Sequence, residues 1–179
     1  YGFDVEVIPP VAIDDQPISS SRIRAAISEG DVVSARRWLG RPYTLLGPVI
    51  HGDGRGHSIG IPTANLEIWS ERILPKAGVY AGTALVLGQK YPAVTNIGIR
   101  PTFDDSSPAL RVETHLLDFS GDLYGQQMEL SFLNRLREEQ RFSNFEALFA
   151  QIHRDIAATR HLLTLSGLSM LTASTTVRS

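Results

Sequence analysis

Three observations predict a mainly β chain, folded as an antiparallel barrel or sandwich with helices at its flanks. From Tyr43 to about Phe132 the sequence runs in short β-rich stretches separated by glycine and proline. Turn residues stand between consecutive stretches, as at Gly88-Gln89. Helical periodicity is confined to the two flanks, before Arg41 and after Ser143. Closely spaced strands joined by turns favour a barrel or sandwich over a doubly wound sheet.

Taken in order, Ser19 to Gly30 reads as a short helix. Ser19, Ser20 or Ser21 caps it, Ile23, Ala26 and Ile27 form its apolar stripe, and Gly30 stops it. Asp31 caps a second helix with Val32, Ala35, Trp38 and Leu39 on one face and Gly40 at its end. Arg41-Pro42 breaks the pattern, so a boundary is expected there, giving segments 1–41, 42–165 and 166–179. Expected strands are Tyr43 to Gly52, Val79 to Leu87, Tyr91 to Ile97, Arg111 to Asp118 and Gln126 to Leu133. Ser143 or Asn144 then opens a helix whose Phe145, Leu148, Phe149, Ile152 and Ile156 are expected to pack on the barrel. The Ser- and Thr-rich stretch from Ser166 is expected to be a mobile tail.

The chain has 179 residues, 42% of them hydrophobic and 20% charged, enough for one globular domain with a core of its own. It has no cysteine, which excludes disulfides, thiolate metal sites and cysteine nucleophiles; a cytoplasmic setting is expected. A formal net charge of -2 provides no basic field for a phosphate backbone, so nucleic acid is not an expected partner. Neither is a membrane, since no apolar run approaches the roughly 20 residues that span a bilayer. The chain opens on Tyr1, not methionine, and a longer parent is expected.

The stretch Gly52-Asp53-Gly54-Arg55-Gly56-His57-Ser58-Ile59-Gly60-Ile61-Pro62-Thr63-Ala64-Asn65 carries the most chemistry. Its glycines let the backbone approach a ligand and aim amides at an anion. It matches neither the Walker loop, having no Gly-Lys-Ser/Thr ending, nor the Rossmann spacing. In extended chain Thr63 and Asn65 share a face, where two hard oxygens suit one Mg²⁺. An ordinary turn in which both bond local backbone is also open to those residues.

This stretch resembles the signature of the riboflavin kinase family. Further similar motifs follow in order: Thr95-Asn96-Ile97-Gly98 with Arg100-Pro101-Thr102, then Val112-Glu113-Thr114-His115, then Asp122-Leu123-Tyr124-Gly125, then Leu136-Arg137-Glu138-Glu139 leading to Phe142. The resemblance covers roughly Tyr43 to Leu163. It implies a six-stranded antiparallel Greek-key barrel with a C-terminal helix, binding ATP, Mg²⁺ and riboflavin and forming FMN. It implies that Thr63 and Asn65 serve the metal and phosphates and that Glu113 is the catalytic carboxylate. Arg137, Glu139 and Phe142 would lie by the flavin. Phosphate contacts are expected from Gly52, Gly54, Gly56, Ser58 and Thr63, and Arg55 either joins them or is solvated. Tyr124 covers adenine or finishes a turn, and Asn96 and Arg100 support the site.

The residues themselves allow this chemistry. A primary alcohol is a poor nucleophile at neutral pH, so its phosphorylation needs alignment and a proton acceptor. Glu113 lies in an alternating strand and shares a face with Arg111 and His115, where it is either that acceptor or a solvated partner of Arg111. The scattered histidines make no zinc set. Ile18-Ser19-Ser20-Ser21-Arg22-Ile23-Arg24 resembles a segment near the end of the nucleotidyltransferase domain that precedes the kinase domain in prokaryotic FAD synthetases. With no His-x-Gly-His motif, this chain by itself is expected not to make FAD. A flavin-binding barrel without catalysis and a nucleic-acid-binding barrel are the competing readings.

Overall fold

The structure is a computed structural model that describes residues 2, 4, 6–7, 9–13, 15–52, 60–100 and 109–167. Two short strands, β1 (Ala12–Ile13) and β2 (Gln16–Pro17), pair ahead of two helices, α1 (Ser20–Glu29) and α2 (Val32–Leu39). Six further strands follow: β3 (Tyr43–Ile50), β4 (Ala64–Leu66), β5 (Gly78–Val86), β6 (Gln89–Arg100), β7 (Ala109–Leu116) and β8 (Gln127–Arg137). Helix α3 (Phe145–Leu165) ends the described chain.

The six strands close into an antiparallel barrel in the order β3-β4-β7-β6-β5-β8. Strands β5, β6 and β7 are consecutive neighbours and β8 returns beside β5, which is Greek-key connectivity. The inside is filled by Leu45, Val49, Leu66, Tyr80, Val86, Ile97, Val112, Leu116, Met128, Leu130 and Phe132. Within it the Thr95 and Thr114 hydroxyls pair at 3.0 Å, which satisfies two buried polar groups.

The helix caps follow the sequence. The Ser19 hydroxyl accepts from Arg22 N and the Asp31 carboxylate from Ser34 N, while Gly30 and Gly40 end their helices at φ 84° and 70°. Helix α2 lies against β8 and β3, and its Val32 joins the barrel's core cluster. Ala26, Ile27 and Ala35 pack with Tyr43 and Ile73. Across the expected boundary at Arg41-Pro42, the helical pair and the barrel therefore share apolar contacts.

Several expectations shift. The β5–β6 turn is Leu87-Gly88, one residue before the expected Gly88-Gln89; both have positive φ, at 51° and 74°, and Gln89 already pairs with Val86. Two positive φ values give the turn whose twist matches the flanking strands. Strand β4 was hidden in the glycine-rich stretch because three residues are too few to alternate. On α3, Leu148, Ile152 and Ile156 are partly buried as expected, but Phe145 and Phe149 remain 49% and 37% exposed. The fully packed positions are Asp155, Thr159 and Leu163, so the covered stripe is displaced round the helix and includes a charge. Most of the expected tail lies outside the described residues.

Candidate active site

Strand register builds a polar row on the outside of the barrel. On β7, Val112, Thr114 and Leu116 are buried inward, so Arg111, Glu113 and His115 face out. Glu113 pairs with Asn65 on β4 at one side and with Asn96 on β6 at the other. Directly opposed residues hold their Cβ atoms about 4.5–5.5 Å apart, so Asn65, Glu113 and Asn96 are lateral neighbours although Glu113 follows Asn65 by 48 positions and Asn96 by 17 in sequence. Half-buried Thr63 stands just ahead of β4, two residues before Asn65. The carbonyl of Pro62 can only accept, so the 2.8 Å contact has His115 Nδ1–H donating and ties the Thr63 segment to β7.

Asn65 is only 7% exposed despite facing out. Gly52, just beyond β3, lies across it: a carbon added to Gly52 would stand 2.5 Å from Asn65 Cγ and 2.9 Å from Oδ1. Among the described residues the buried Oδ1 has no hydrogen-bond donor. Leaving such an acceptor unmet costs about 1–3 kcal/mol, so the arrangement suits a ligand that supplies the missing partner. Glu113 Oε1 accepts from Arg111 Nη1 at 2.9 Å, both side chains being partly exposed. The expected Arg111 pairing is thus present, and beside it stands the unmet oxygen of Asn65.

Different chain segments flank the two ends of the row. At the Gly52 end the Tyr124 ring stacks on His51, with centroids 3.7 Å apart and planes 25° from parallel. The Tyr124 N–H donates to Asp122 Oδ1, so the residue also finishes a turn. At the Asn96 end, Glu139 Oε1 accepts from Asn96 Nδ2 at 3.4 Å and rests over Gly98, where an added carbon would come within 2.5 Å of it. Arg137 forks onto Asp155 of α3 at 2.8 and 3.0 Å, and the half-buried Phe142 ring lies 5.8 Å from its guanidinium.

The structure therefore brings Gly52, Asn65, Glu113 and Asn96 together, with Thr63 just ahead of β4 and Tyr124 and Glu139 at the ends of the row. Arg137 makes its hydrogen bonds to Asp155 and the Glu138 carbonyl. Arg100 pairs through its backbone with Ala109 on β7. Gly54, Arg55, Gly56 and Ser58 lie outside the described residues. Sequence reasoning did not single out His51 or Asp155 for the site. A ring next to the first loop glycine and an acidic residue within an apolar helix stripe were the available signals. Among the described residues no cluster of three or more His, Asp or Glu could hold a metal; side-chain oxygens such as those of Thr63 and Asn65 are the donor type that suits a cation keeping waters and phosphates in its shell.

Comparison with known proteins gives a consistent picture. A family model described as riboflavin kinase matches residues 39–163. A bifunctional riboflavin kinase/FMN adenylyltransferase from Pseudomonas fluorescens is 43% identical over 161 residues, covering 90% of this chain and 51% of that protein. Its counterpart in Bacillus subtilis is 44% identical over 142 residues, covering 79% and 45%. The chain spans about half the length of these curated relatives. Among solved structures, riboflavin kinase from Trypanosoma brucei superposes with a TM-score of 0.53 at 28% identity, over 69% of this chain and 78% of that one. A Streptococcus pneumoniae structure described as a macrolide-efflux protein gives a TM-score of 0.81 at 37% identity, over 86% and 50%. Among the described residues of this chain no helix is long and apolar enough to cross a membrane.

Proposed function

This chain belongs to the riboflavin kinase family, and we propose that it transfers the γ-phosphoryl group of ATP to the ribityl 5′-hydroxyl of riboflavin, giving FMN and ADP. The observation that carries the reading is the lateral pairing of Asn65 and Glu113, an unmet buried oxygen beside an accessible carboxylate. In the proposed reaction the hydroxyl oxygen forms a bond to the γ-phosphorus as the bond from that phosphorus to the β,γ-bridging oxygen breaks. Glu113 takes the hydroxyl proton, and ADP leaves with the bond's electron pair. Such a base contributes about 10² to 10⁴ in rate, and alignment supplies much of the rest.

The two ends of the row divide the substrates. We assign ATP to the Gly52 end, with Gly52, Gly54, Arg55, Gly56, Ser58 and Thr63 along its phosphates and the Tyr124–His51 stack beside its base. Riboflavin takes the other end, against Glu139 and Phe142, with Arg137 behind that wall and Asn96 and Arg100 in support. Thr63 and Asn65 would hold Mg²⁺, whose chemistry there is to neutralise charge on the phosphates. The reaction is assigned to the cytoplasm. For the longer protein suggested by the curated relatives, FMN adenylylation by a linked domain is the proposed second activity.

The test is ADP formation with and without riboflavin, in the parent and in Glu113→Gln. Riboflavin-dependent turnover in the parent, lowered about 10² to 10⁴-fold in the variant with nucleotide binding retained, is expected. Flavin binding without ADP formation by the parent supports the carrier reading instead, and unchanged turnover in the variant removes Glu113 from the role of base.

A further inference from the structure

We infer that the Arg137–Asp155 pair is a positioning device that holds Glu139 against the Asn96–Gly98 edge of the polar row; the inference rests on the kinase reading above. Asp155 lies on α3 and is 5% exposed, the one charged side chain buried among the described residues. Both its oxygens are engaged. Oδ2 accepts from Arg137 Nη2 at 2.8 Å and Nε at 3.0 Å, while Oδ1 accepts from Gln151 Nε2 at 2.8 Å and from Arg137 Nε at 3.2 Å. Arg137 Nη1 turns back to donate to the Glu138 carbonyl at 3.0 Å.

Stability alone is a poor reason for this pair. Dehydrating two charges offsets most of their attraction, and well-packed apolar residues often replace buried pairs without loss. A planar fork on a carboxylate does what an apolar contact does not: it fixes direction. Here the fixed object is the segment joining β8 to α3. It leaves the barrel at Arg137, whose register partner is Val79 on β5, and enters α3 at Asn144, whose side chain accepts from Ala147 N at 2.8 Å. Between those anchors stands Glu139, which meets Asn96 and fills the space above Gly98. Asn96 is in turn the lateral neighbour of Glu113. The rotation of α3 is thus transmitted through one fork to the wall nearest the carboxylate.

The experiment measures steady-state ADP formation with riboflavin and ATP varied separately, in the parent, Asp155→Asn, Arg137→Lys, Glu139→Ala and the Asp155→Asn/Glu139→Ala double variant. Asp155→Asn is expected to lower kcat/KM for riboflavin about 10- to 100-fold, the scale of a wall displaced by an ångström, with the KM for ATP changed less than about twofold. The double variant is expected to be no worse than Glu139→Ala, because the pair acts through that residue. Should Asp155→Asn not fold by circular dichroism, Arg137→Lys, which keeps the charge and loses the fork, carries the same expectation. A folded variant with the parent's riboflavin parameters overturns the inference, as does a double variant whose loss is the product of the single losses. A parent without riboflavin-dependent ADP formation overturns the kinase reading along with it.

Discussion

Gly52→Ala tests the site through a contact that strand register alone does not reveal. The added methyl would stand 2.5 Å from Asn65 Cγ and 2.9 Å from its Oδ1. Unstrained carbon contacts lie at about 3.5–4.0 Å and Asn65 Nδ2 stands closer to the added methyl than Cγ does, so one group must move by at least about 1 Å. Asn65 has little room, being buried between β3 and β7. A displacement of that size at a reacting centre costs about 10²-fold, which is about 2.7 kcal/mol of barrier. Overpacking further predicts a loss of about 1–3 kcal/mol in stability. The sign is itself informative, because Gly52 is absent from the residues with positive φ. At an unstrained position, glycine to alanine stabilises by about 0.4–1 kcal/mol. The assay is riboflavin-dependent ADP formation together with denaturant unfolding of Gly52→Ala, Asn65→Ala and the double variant. With Asn65 shortened the methyl has space, so the stability loss caused by Gly52→Ala should largely disappear in that background. A Gly52→Ala protein with parental turnover, or stability losses that simply add, would refute the reasoning.

Other perturbations probe the scaffold. Thr114→Val leaves the Thr95 hydroxyl without its partner inside the barrel and should cost about 1–3 kcal/mol in denaturant unfolding, whereas Thr95→Val/Thr114→Val should recover most of it. Leu87 holds φ 51° in the β5–β6 turn with its side chain exposed. Leu87→Asn creates the Asn-Gly pair that this turn favours and should stabilise by about 0.5–1 kcal/mol, read from the unfolding midpoint. The hydrogen bond from Arg160 holds the exposed Asp118 carboxyl below its ordinary value of 3.8. A depressed carboxyl stabilises the fold above its unfolded value and loses that contribution as pH falls through the folded one. Asp118→Asn keeps a residue suited to the local φ of 61°, so parent and variant should differ by about 0.2–1 kcal/mol near neutrality, as exposed pairs do, and in thermal unfolding the difference should begin to shrink only as pH falls below 3.8.

How much was legible follows from the distance over which each feature is decided. Ser19, Asp31 and Asn144 cap helices by bonding an amide three residues on, and Gly30 and Gly40 end them through their own φ, so these positions could be read locally. Long strands of alternating burial were legible for the same reason, since neighbouring residues in an extended chain face opposite sides. Strand β4 was not, and without it Asn65 has no lateral neighbour. The α3 stripe was read too wide because Phe145 and Phe149 have the helical spacing but lie where the described barrel does not cover them, while Asp155 is buried because Arg137 waits across the interface.

From the sequence by itself came the β-rich class, the helix limits, the motif order and the residue types suited to phosphoryl transfer, all set by neighbours within a few positions. Only the closed barrel decided that β7 lies between β4 and β6, and hence that Asn65, Glu113 and Asn96 form one row with Gly52 pressed against its end. Pairing between strands distant in the chain depends on the simultaneous burial of every inward side chain, a sum no local segment contains.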